Sequence, residues 1–178
     1  MKTGRCFMKN IISILLTTIF IACSASASGS KATKALDKGE LSNMKISIQI
    51  TSDLSDGQAG TGSHKLTATL ADNSSAIAFY KLLEKGPVTI KMNDYGNFEK
   101  VGPLGVTLPR NDTQITTTAG DIILYQGNQI TIYYDTNSWN FTRLGKVVST
   151  GSTTTITQAE LKKILGKGNV TAVFDVLR

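Results

Sequence analysis

The chain has 178 residues and a mass of 19.1 kDa, enough for one ordinary domain or two very small ones. Its 40% hydrophobic and 18% charged residues are typical of a globular protein, which excludes wholesale disorder and a polytopic membrane protein. The formal net charge of +6 falls to +3 without residues 1–22, which carry Lys2, Arg5 and Lys9. The remaining basic residues are scattered, so we expect no nucleic-acid partner.

Residues 1–22 are predicted to be a signal peptide. The apolar run from Ile11 to Ala22 is shorter than the ~20 residues that a membrane-spanning helix needs. A short apolar run behind a basic segment is typical of a secretory signal, so the protein is predicted to be exported. Met8 is an alternative start, because Lys9 and Asn10 after it form a compact basic segment of their own.

Two processing sites compete at the end of this signal. Phe20 to Cys23 resembles a bacterial lipobox, in which the thiol of the cysteine receives diacylglycerol, although leucine is usual where Phe20 stands. We favour this site because the apolar run ends directly at Cys23, and lipidation there would anchor the protein to a membrane. The alternative is ordinary cleavage after Ala27. The predicted location is the cell envelope as a lipoprotein, or the periplasm or exterior.

Residues 23–43, rich in Ser, Ala, Lys and Gly, are predicted to form a flexible linker before a domain over residues 44–178. Both cysteines, Cys6 and Cys23, precede this domain, so it is expected to contain no disulfide and no thiolate site. His64 is the only histidine and is predicted to lie at the surface. We therefore expect no metal site and no cofactor.

The first half of the domain predicts three strands and a helix. Lys45 to Ile50 and Lys65 to Leu70 alternate polar and apolar residues, the period of a half-buried strand. A helix is predicted over Ala76 to Glu84, capped by Asp72, Asn73 or Ser74 and ended by Gly86. Pro87 to Met92 predicts the third strand.

The second half begins with a long segment, Asp94 to Asp112, predicted to be irregular and functional because loops this long in compact domains tend to be so. A capping box of Thr157 and Glu160 predicts a second helix ending at Leu165. Five further strands are predicted, over Gln114–Thr117, Asp121–Tyr125, Gln129–Tyr134, Phe141–Val148 and Asn169–Val176. Eight short strands and two helices predict a mostly β protein, either a closed barrel or a sandwich.

The order of these elements resembles the cyclophilin-like barrel, which has eight strands closed by two helices. The resemblance covers about residues 44 to 176 and is closest to the bacterial cyclophilin-like family of small, often exported proteins. It therefore implies a closed eight-stranded β-barrel. The segments that carry it are Tyr95–Gly102, Leu108–Asp112, Ala119–Gln129, Asn137–Trp139 and Thr142–Lys146.

True cyclophilins isomerise peptidyl-prolyl bonds, and their signature places phenylalanine and glutamine five and eight residues after an arginine. Counted from the third strand, this chain has Lys91, Gly96 and Glu99 instead. Lysine lacks the planar guanidinium that the resemblance assigns to the prolyl carbonyl. Gly127-Asn128-Gln129 is similar to the cyclophilin Gly-Ser-Gln, but Ile130 and Thr131 follow where two phenylalanines are expected.

The candidate ligand-binding residues are two arginines, four aromatic residues and a glutamine. Arginine can bind a carboxylate or a peptide carbonyl by fork-shaped donation, and aromatic residues with a polar group commonly line clefts. For the arginines the alternative is an ion pair with Asp112 or Asp121, whereas Tyr125 and Phe141 are predicted to pack in the core. The set comprises Tyr95, Phe98, Arg110, Gln126, Tyr134, Trp139 and Arg143.

Three classes of function remain open at this point. We favour a binding module that holds a peptide or small ligand in a cleft beside the segment 94–112. The second is a peptidyl-prolyl cis-trans isomerase that assists folding outside the cytoplasm. The third is a structural interaction domain, which would have no lined barrel mouth.

Overall fold

The computed structural model describes residues 44–52, 62–149, 154–165 and 167–177. The predicted signal peptide, Cys23 and the linker lie outside these residues. None of the helices in the described part of the chain has the length and apolar character needed to cross a membrane.

The described residues form nine strands and two helices. The strands carry most of the structure, and the helices follow β2 and precede β9 as predicted. In chain order the elements are β1 (Lys45–Ser52), β2 (Ser63–Leu70), α1 (Ser74–Glu84), β3 (Val88–Tyr95), β4 (Glu99–Pro103), β5 (Thr113–Thr116), β6 (Asp121–Tyr125), β7 (Gln129–Tyr133), β8 (Ser138–Val148), α2 (Gln158–Leu165) and β9 (Val170–Val176).

Eight of the strands close into an antiparallel barrel, which confirms the predicted fold class. Their order is β2-β1-β9-β3-β4-β7-β6-β8, and β8 pairs back onto β2 to complete the ring. β5 pairs only with the first part of β8 and lies outside the ring. Closure removes free sheet edges, which would otherwise pair with other chains.

Each of the eight predicted strands is present, but a ninth strand, β4, was missed. β4 lies inside the segment 94–112 that was predicted to be irregular, whereas the predicted strand at 114–117 is β5, outside the ring. β4 escaped detection because Glu99 and Lys100 are both buried, and Gly102 and Pro103 follow them. Its sequence therefore has no polar–apolar alternation.

The barrel interior is filled with aliphatic side chains. β1 directs Ile46, Ile48 and Ile50 inward, all fully buried, as the alternation predicted. α1 covers the interior with Phe79, whose ring contacts that of Phe174 edge to face at 5.8 Å. In the described residues the interior is thus packed by the protein's own side chains, and the hollows described below lie on the outer surface.

Both helices begin where the capping residues predicted. Asn73 is the N-cap of α1, and its side chain accepts a hydrogen bond from the backbone N–H of Ala76 at 2.9 Å. Its amide group donates to the carbonyl of Arg143 at 2.7 Å, which ties the helix to β8. At α2, the backbone N–H of Thr157 donates to Glu160 at 3.0 Å, and Glu160 N–H donates to the Thr157 hydroxyl at 3.3 Å.

A substitution where β8 pairs with β2 tests how much closure of the barrel contributes to stability. Gly145 lies opposite Leu70, and a methyl group on it would overlap the carbonyl oxygen of Thr69. We expect Gly145→Ala to lower the free energy of unfolding by about 2 kcal/mol or more, because the strands must separate to accept the methyl group. Chemical denaturation measures this change. Asn140→Ala, at an exposed position on the same strand, should stay within about 0.5 kcal/mol of wild type, and an equal loss in both variants would contradict the account.

Candidate functional site

The outer face of the barrel is apolar where β6, β7 and β8 run side by side. Ile123, Tyr133 and Phe141 form a second buried cluster there, separate from the interior core. Antiparallel strands on a barrel usually alternate apolar residues inward with polar residues outward. Apolar residues on both faces therefore mark a covered or binding surface.

This surface contains a hollow of about 670 Å³, which we call the aromatic cavity. Its volume lies within the range typical of small-molecule sites. Six of the lining residues are aromatic, and the others are mostly amides. The lining comprises Tyr95, Phe98, Glu99, Val101, Tyr125, Gln126, Gln129, Tyr133, Asn137, Trp139 and Phe141.

Five of the rings make a continuous chain of contacts. Phe98 stacks on Tyr133 with centroids 6.0 Å apart, and Tyr95 meets Phe98 edge to face at 5.8 Å. Phe141 then links Tyr133, at 5.6 Å, to Tyr125, at 6.3 Å. Aromatic contacts of this kind contribute about 1 kcal/mol each beyond area burial, so the cavity wall is well held.

Two tight hairpins flank the aromatic cavity. The β3–β4 turn has positive φ at Gly96 and Asn97, and a methyl group on Gly96 would overlap the Phe98 ring. Glycine is therefore needed for the ring to reach its position. The β6–β7 turn likewise has positive φ at Gln126 and Gly127. Positive φ at both central residues, closed by a hydrogen bond from Phe98 N–H to the Tyr95 carbonyl and from Asn128 N–H to the Tyr125 carbonyl, is the turn geometry that β-hairpins favour.

Glu99 supplies the only carboxyl group in the lining of the aromatic cavity. The residue is 8% exposed, and its Oε2 has no hydrogen-bond partner. Burial raises the pKa of this carboxyl, and a hydrogen bond from Tyr133, opposite it on β7, partly offsets the increase. Burial and the neighbouring Glu99 also raise the pKa of Tyr133, so the phenol keeps its proton.

A second hollow of about 470 Å³ adjoins the first, and we call it the polar cavity. It shares Tyr125, Gln126 and Trp139 with the aromatic cavity. Arg110 also lines it and donates from Nε to Asp112 at 2.9 Å. This ion pair raises the pKa of Arg110 and lowers that of Asp112. The other lining residues are Asp112, Thr113, Gln114 and Asn140.

The loop that carries Arg110 is held by hydrogen bonds to three elements. Leu108 N–H donates to the Gly127 carbonyl at 2.8 Å, beside the β6–β7 turn. Asn111 accepts from the backbone N–H of Ser75 on α1 at 3.0 Å and donates its own N–H to Thr142 on β8 at 2.8 Å. The loop is therefore ordered by specific contacts before any ligand arrives.

The structure brings five of the seven predicted site residues together. Tyr95, Phe98, Gln126 and Trp139 line the aromatic cavity, and Arg110 lines the polar cavity next to it. Tyr95 and Trp139 are 60% and 61% exposed at the surface.

Arg143 and Tyr134 lie elsewhere. Arg143 lines neither cavity, and its Nε pairs with Asp121 at 3.2 Å, the ion-pair alternative considered above. Tyr134 faces the barrel interior, where its hydroxyl donates to Asp94 and burial raises its pKa. Lys100 contacts the same Asp94 at 3.2 Å and donates to the Gly168 carbonyl at 2.6 Å.

Sequence reasoning missed several residues of the site. Tyr125, predicted to pack in the core, is half-buried and lines both cavities, and Phe141 lines the aromatic cavity although it is buried. Glu99, Tyr133 and Gln129 were not proposed as ligand-binding residues. The alternation of side chains along a strand could have identified some of them, because alternate residues point to the same face. Tyr125, Gln129 and Tyr133 all lie on the outer face.

Among the residues that the structure describes, no three His, Cys, Asp or Glu residues lie close enough together to hold a metal ion. His64, at intermediate burial on β2, lines neither cavity.

The pKa of Glu99 gives a pH-dependent prediction for Glu99→Gln. Because folding raises this pKa, stability present below the unfolded value is lost as pH rises through the folded value. Glutamine has no charge to bury, so the variant should match wild type near pH 4 and melt roughly 3 °C higher near pH 8. Thermal melts followed across this range measure the difference. Glu84→Gln, at an exposed position on α1, should change little between the two pH values, and a constant offset for Glu99→Gln would refute the assignment.

Comparison with known proteins agrees with this architecture. No curated protein matches the chain. The model of the cyclophilin-like family matches residues 60–175, which is more than half of the chain and spans β2 to β9. The filled eight-stranded ring, its two helices and this match lead to one conclusion: the chain belongs to the cyclophilin-like family.

Proposed function

We propose that this protein is a binding module that holds a peptide or small ligand in the aromatic cavity. The observation that carries the proposal is an outward-facing hollow with six aromatic residues in its wall, on a barrel whose own interior is filled. Such a hollow is the default site for a ligand in a protein of this kind. It also disfavours the purely structural domain, for which a lined hollow has no purpose.

The dimensions of the aromatic cavity fit a short extended segment. Along β7 the cavity runs from Tyr133 to Gln129, which at the rise of a β-strand is roughly 13 Å. Trp139 and Tyr95 remain available at the surface, while Gln126 and Gln129 offer amide groups. A ligand therefore meets apolar walls with a few polar groups that set its orientation.

The lining chemistry favours binding over hydrolysis. Glycoside hydrolysis uses two carboxyl groups, whereas the aromatic cavity contains Glu99 alone. Because Asp112 already neutralises Arg110, we do not assign Arg110 the recognition of a negatively charged ligand. The guanidinium side chain is 55% exposed, so it can still donate to a ligand carbonyl in the polar cavity.

A titration of the full chain tests this proposal. Proline-containing peptides and small carboxylates are added to labelled protein, and we expect NMR shifts at the Trp139 indole and at its neighbours in the wall. Tyr95→Ala should weaken binding about tenfold, because truncating an aromatic anchor typically removes more than 1 kcal/mol. Leu177→Ala, which removes an exposed apolar side chain outside the lining, serves as the control. Unchanged spectra at Trp139 with every ligand would contradict the proposal.

The second candidate function is prolyl isomerisation, favoured by the joint presence of Phe98, Gln129 and Trp139 in one wall. The β3–β4 register supports a different placement of the signature from the one that begins at Lys91. Asn93 lies opposite Val101, and Phe98 follows Asn93 by five residues, so the phenylalanine is kept and Asn93 replaces the arginine. Neither placement restores a guanidinium.

A coupled proline-isomerisation assay decides between the two functions. Acceleration that is lost in Arg110→Ala, but kept in Arg143→Ala outside both cavities, would favour the isomerase. Binding at Trp139 without acceleration would favour the binding module.

We further propose that the protein is exported and anchored through a lipid on Cys23. The support is the sequence alone, an apolar run that ends at this cysteine behind a basic segment. Cys23→Ser should move the protein from the membrane fraction to the soluble fraction of the producing cells, because only cysteine accepts the diacylglycerol. Mass spectrometry of the mature N-terminus should find a lipidated Cys23, and an unmodified terminus at Ser28 would instead identify cleavage after Ala27.

A further inference from the structure

A buried, unsatisfied carboxylate oxygen on Glu99, a residue that lines the aromatic cavity, indicates what kind of group the ligand presents. Glu99 is more than nine-tenths buried, yet its Oε2 has no hydrogen-bond partner in the structure. The only other such atom among the described residues is Oγ1 of Thr131, which shares the outer face of β7 with Tyr133. Buried polar atoms are nearly always paired, so an unpaired one in a cavity wall points to a missing donor.

The surroundings of this oxygen favour a donor that carries positive charge. The faces of Tyr and Trp rings attract cations, and the cavity wall holds six aromatic residues and no lysine or arginine. An isolated buried carboxylate is also costly, and a cation beside it removes that cost.

The nearest basic groups do not compete for Glu99. Lys100 lies on the opposite face of β4, fully buried, and is held by Asp94 and the Gly168 carbonyl. Arg110 lines the adjoining cavity but is bound to Asp112. Among the residues that the structure describes, the Glu99 carboxylate therefore has no ion pair with a basic side chain.

We propose that the aromatic cavity binds an alkylammonium group, which donates an N–H to the carboxylate of Glu99 while its methylene groups pack among the aromatic rings. This inference rests on the proposed binding function and names the chemical class of the ligand. The same group is offered by a free alkylamine and by a lysine side chain of a peptide. The rest of the ligand would extend along β7 toward Gln129 and Gln126.

Paired probes separate charge from shape and the two sources from each other. n-Butylammonium is compared with n-butanol, and N-acetyl-lysine methylamide with N-acetyl-norleucine methylamide. Calorimetry on the full chain gives affinities, and Trp139, the only tryptophan, reports occupancy of the cavity by fluorescence. We expect dissociation constants on the order of 1 mM for the ammonium compounds and binding about tenfold weaker for their neutral partners. The tighter of the two ammonium compounds identifies the source.

Two variants connect this binding to named residues. Glu99→Gln keeps the shape of the side chain and should weaken ammonium binding about tenfold, because a charge-assisted hydrogen bond is lost. Phe98→Leu keeps an apolar side chain but removes the ring and should weaken ammonium binding more than n-butanol binding. Glu84→Gln changes net charge equally outside both cavities and should bind as wild type does.

The inference is overturned if neutral and charged partners bind equally, if neither ammonium compound binds, or if Glu99→Gln leaves ammonium affinity unchanged. These results differ from a failure of the proposed function. If a neutral peptide still shifts the Trp139 resonance, the cavity is a binding site for another class of ligand. Only the absence of any Trp139 shift and of any measurable binding with every ligand would contradict both proposals.

Discussion

The interior of this barrel is filled by its own aliphatic side chains, and the location of any site depends on that packing. Ile46, Ile48 and Ile50 on β1 occupy the interior together with Phe174 on β9, and α1 covers it with Phe79. The pairing of β8 with β2 then closes the ring. The aromatic cavity lies instead on the outer surface, where β4, β7, β6 and β8 lie side by side and the outward residues are aromatic.

The apolar outer face lies between two tight hairpin turns and contains two buried oxygen atoms without partners. Asn97 and Gln126, at the tips of the two flanking hairpins, both have positive φ, which L-residues adopt at some energetic cost. Glu99 and Thr131 keep buried oxygen atoms without partners. All four features lie on or beside the aromatic cavity. The two unpaired oxygen atoms are the feature on which the proposed ligand site rests, because buried polar atoms are nearly always paired.

Local signals predicted the framework, whereas the site depended on register that no single sequence segment carries. Alternation found β1 and β2, and side-chain caps found both helices at Asn73 and Thr157. The two tyrosines at the end of β7 show the limit of such local signals. Tyr134 was chosen for the site, but it faces the core, and Tyr133 lines the cavity. Successive residues of a strand point to opposite faces, so a shift of one residue exchanges the core face for the outer face. Pairing with β4 and β6 determines which residues of this segment point outward.

β4 links the interior to the site, because adjacent residues on a strand point to opposite faces. Lys100 is held inside by Asp94, directly opposite it on β3, and by the carbonyl of Gly168 before β9. With Lys100 held on that face, the preceding residue must point outward into the aromatic cavity. The burial of the Glu99 carboxyl group on the outer face therefore follows from an ion pair on the other side of the same strand. The interior contacts thus stabilise an outward carboxylate that the barrel itself leaves only partly satisfied, and a cationic ligand would complete its hydrogen bonding.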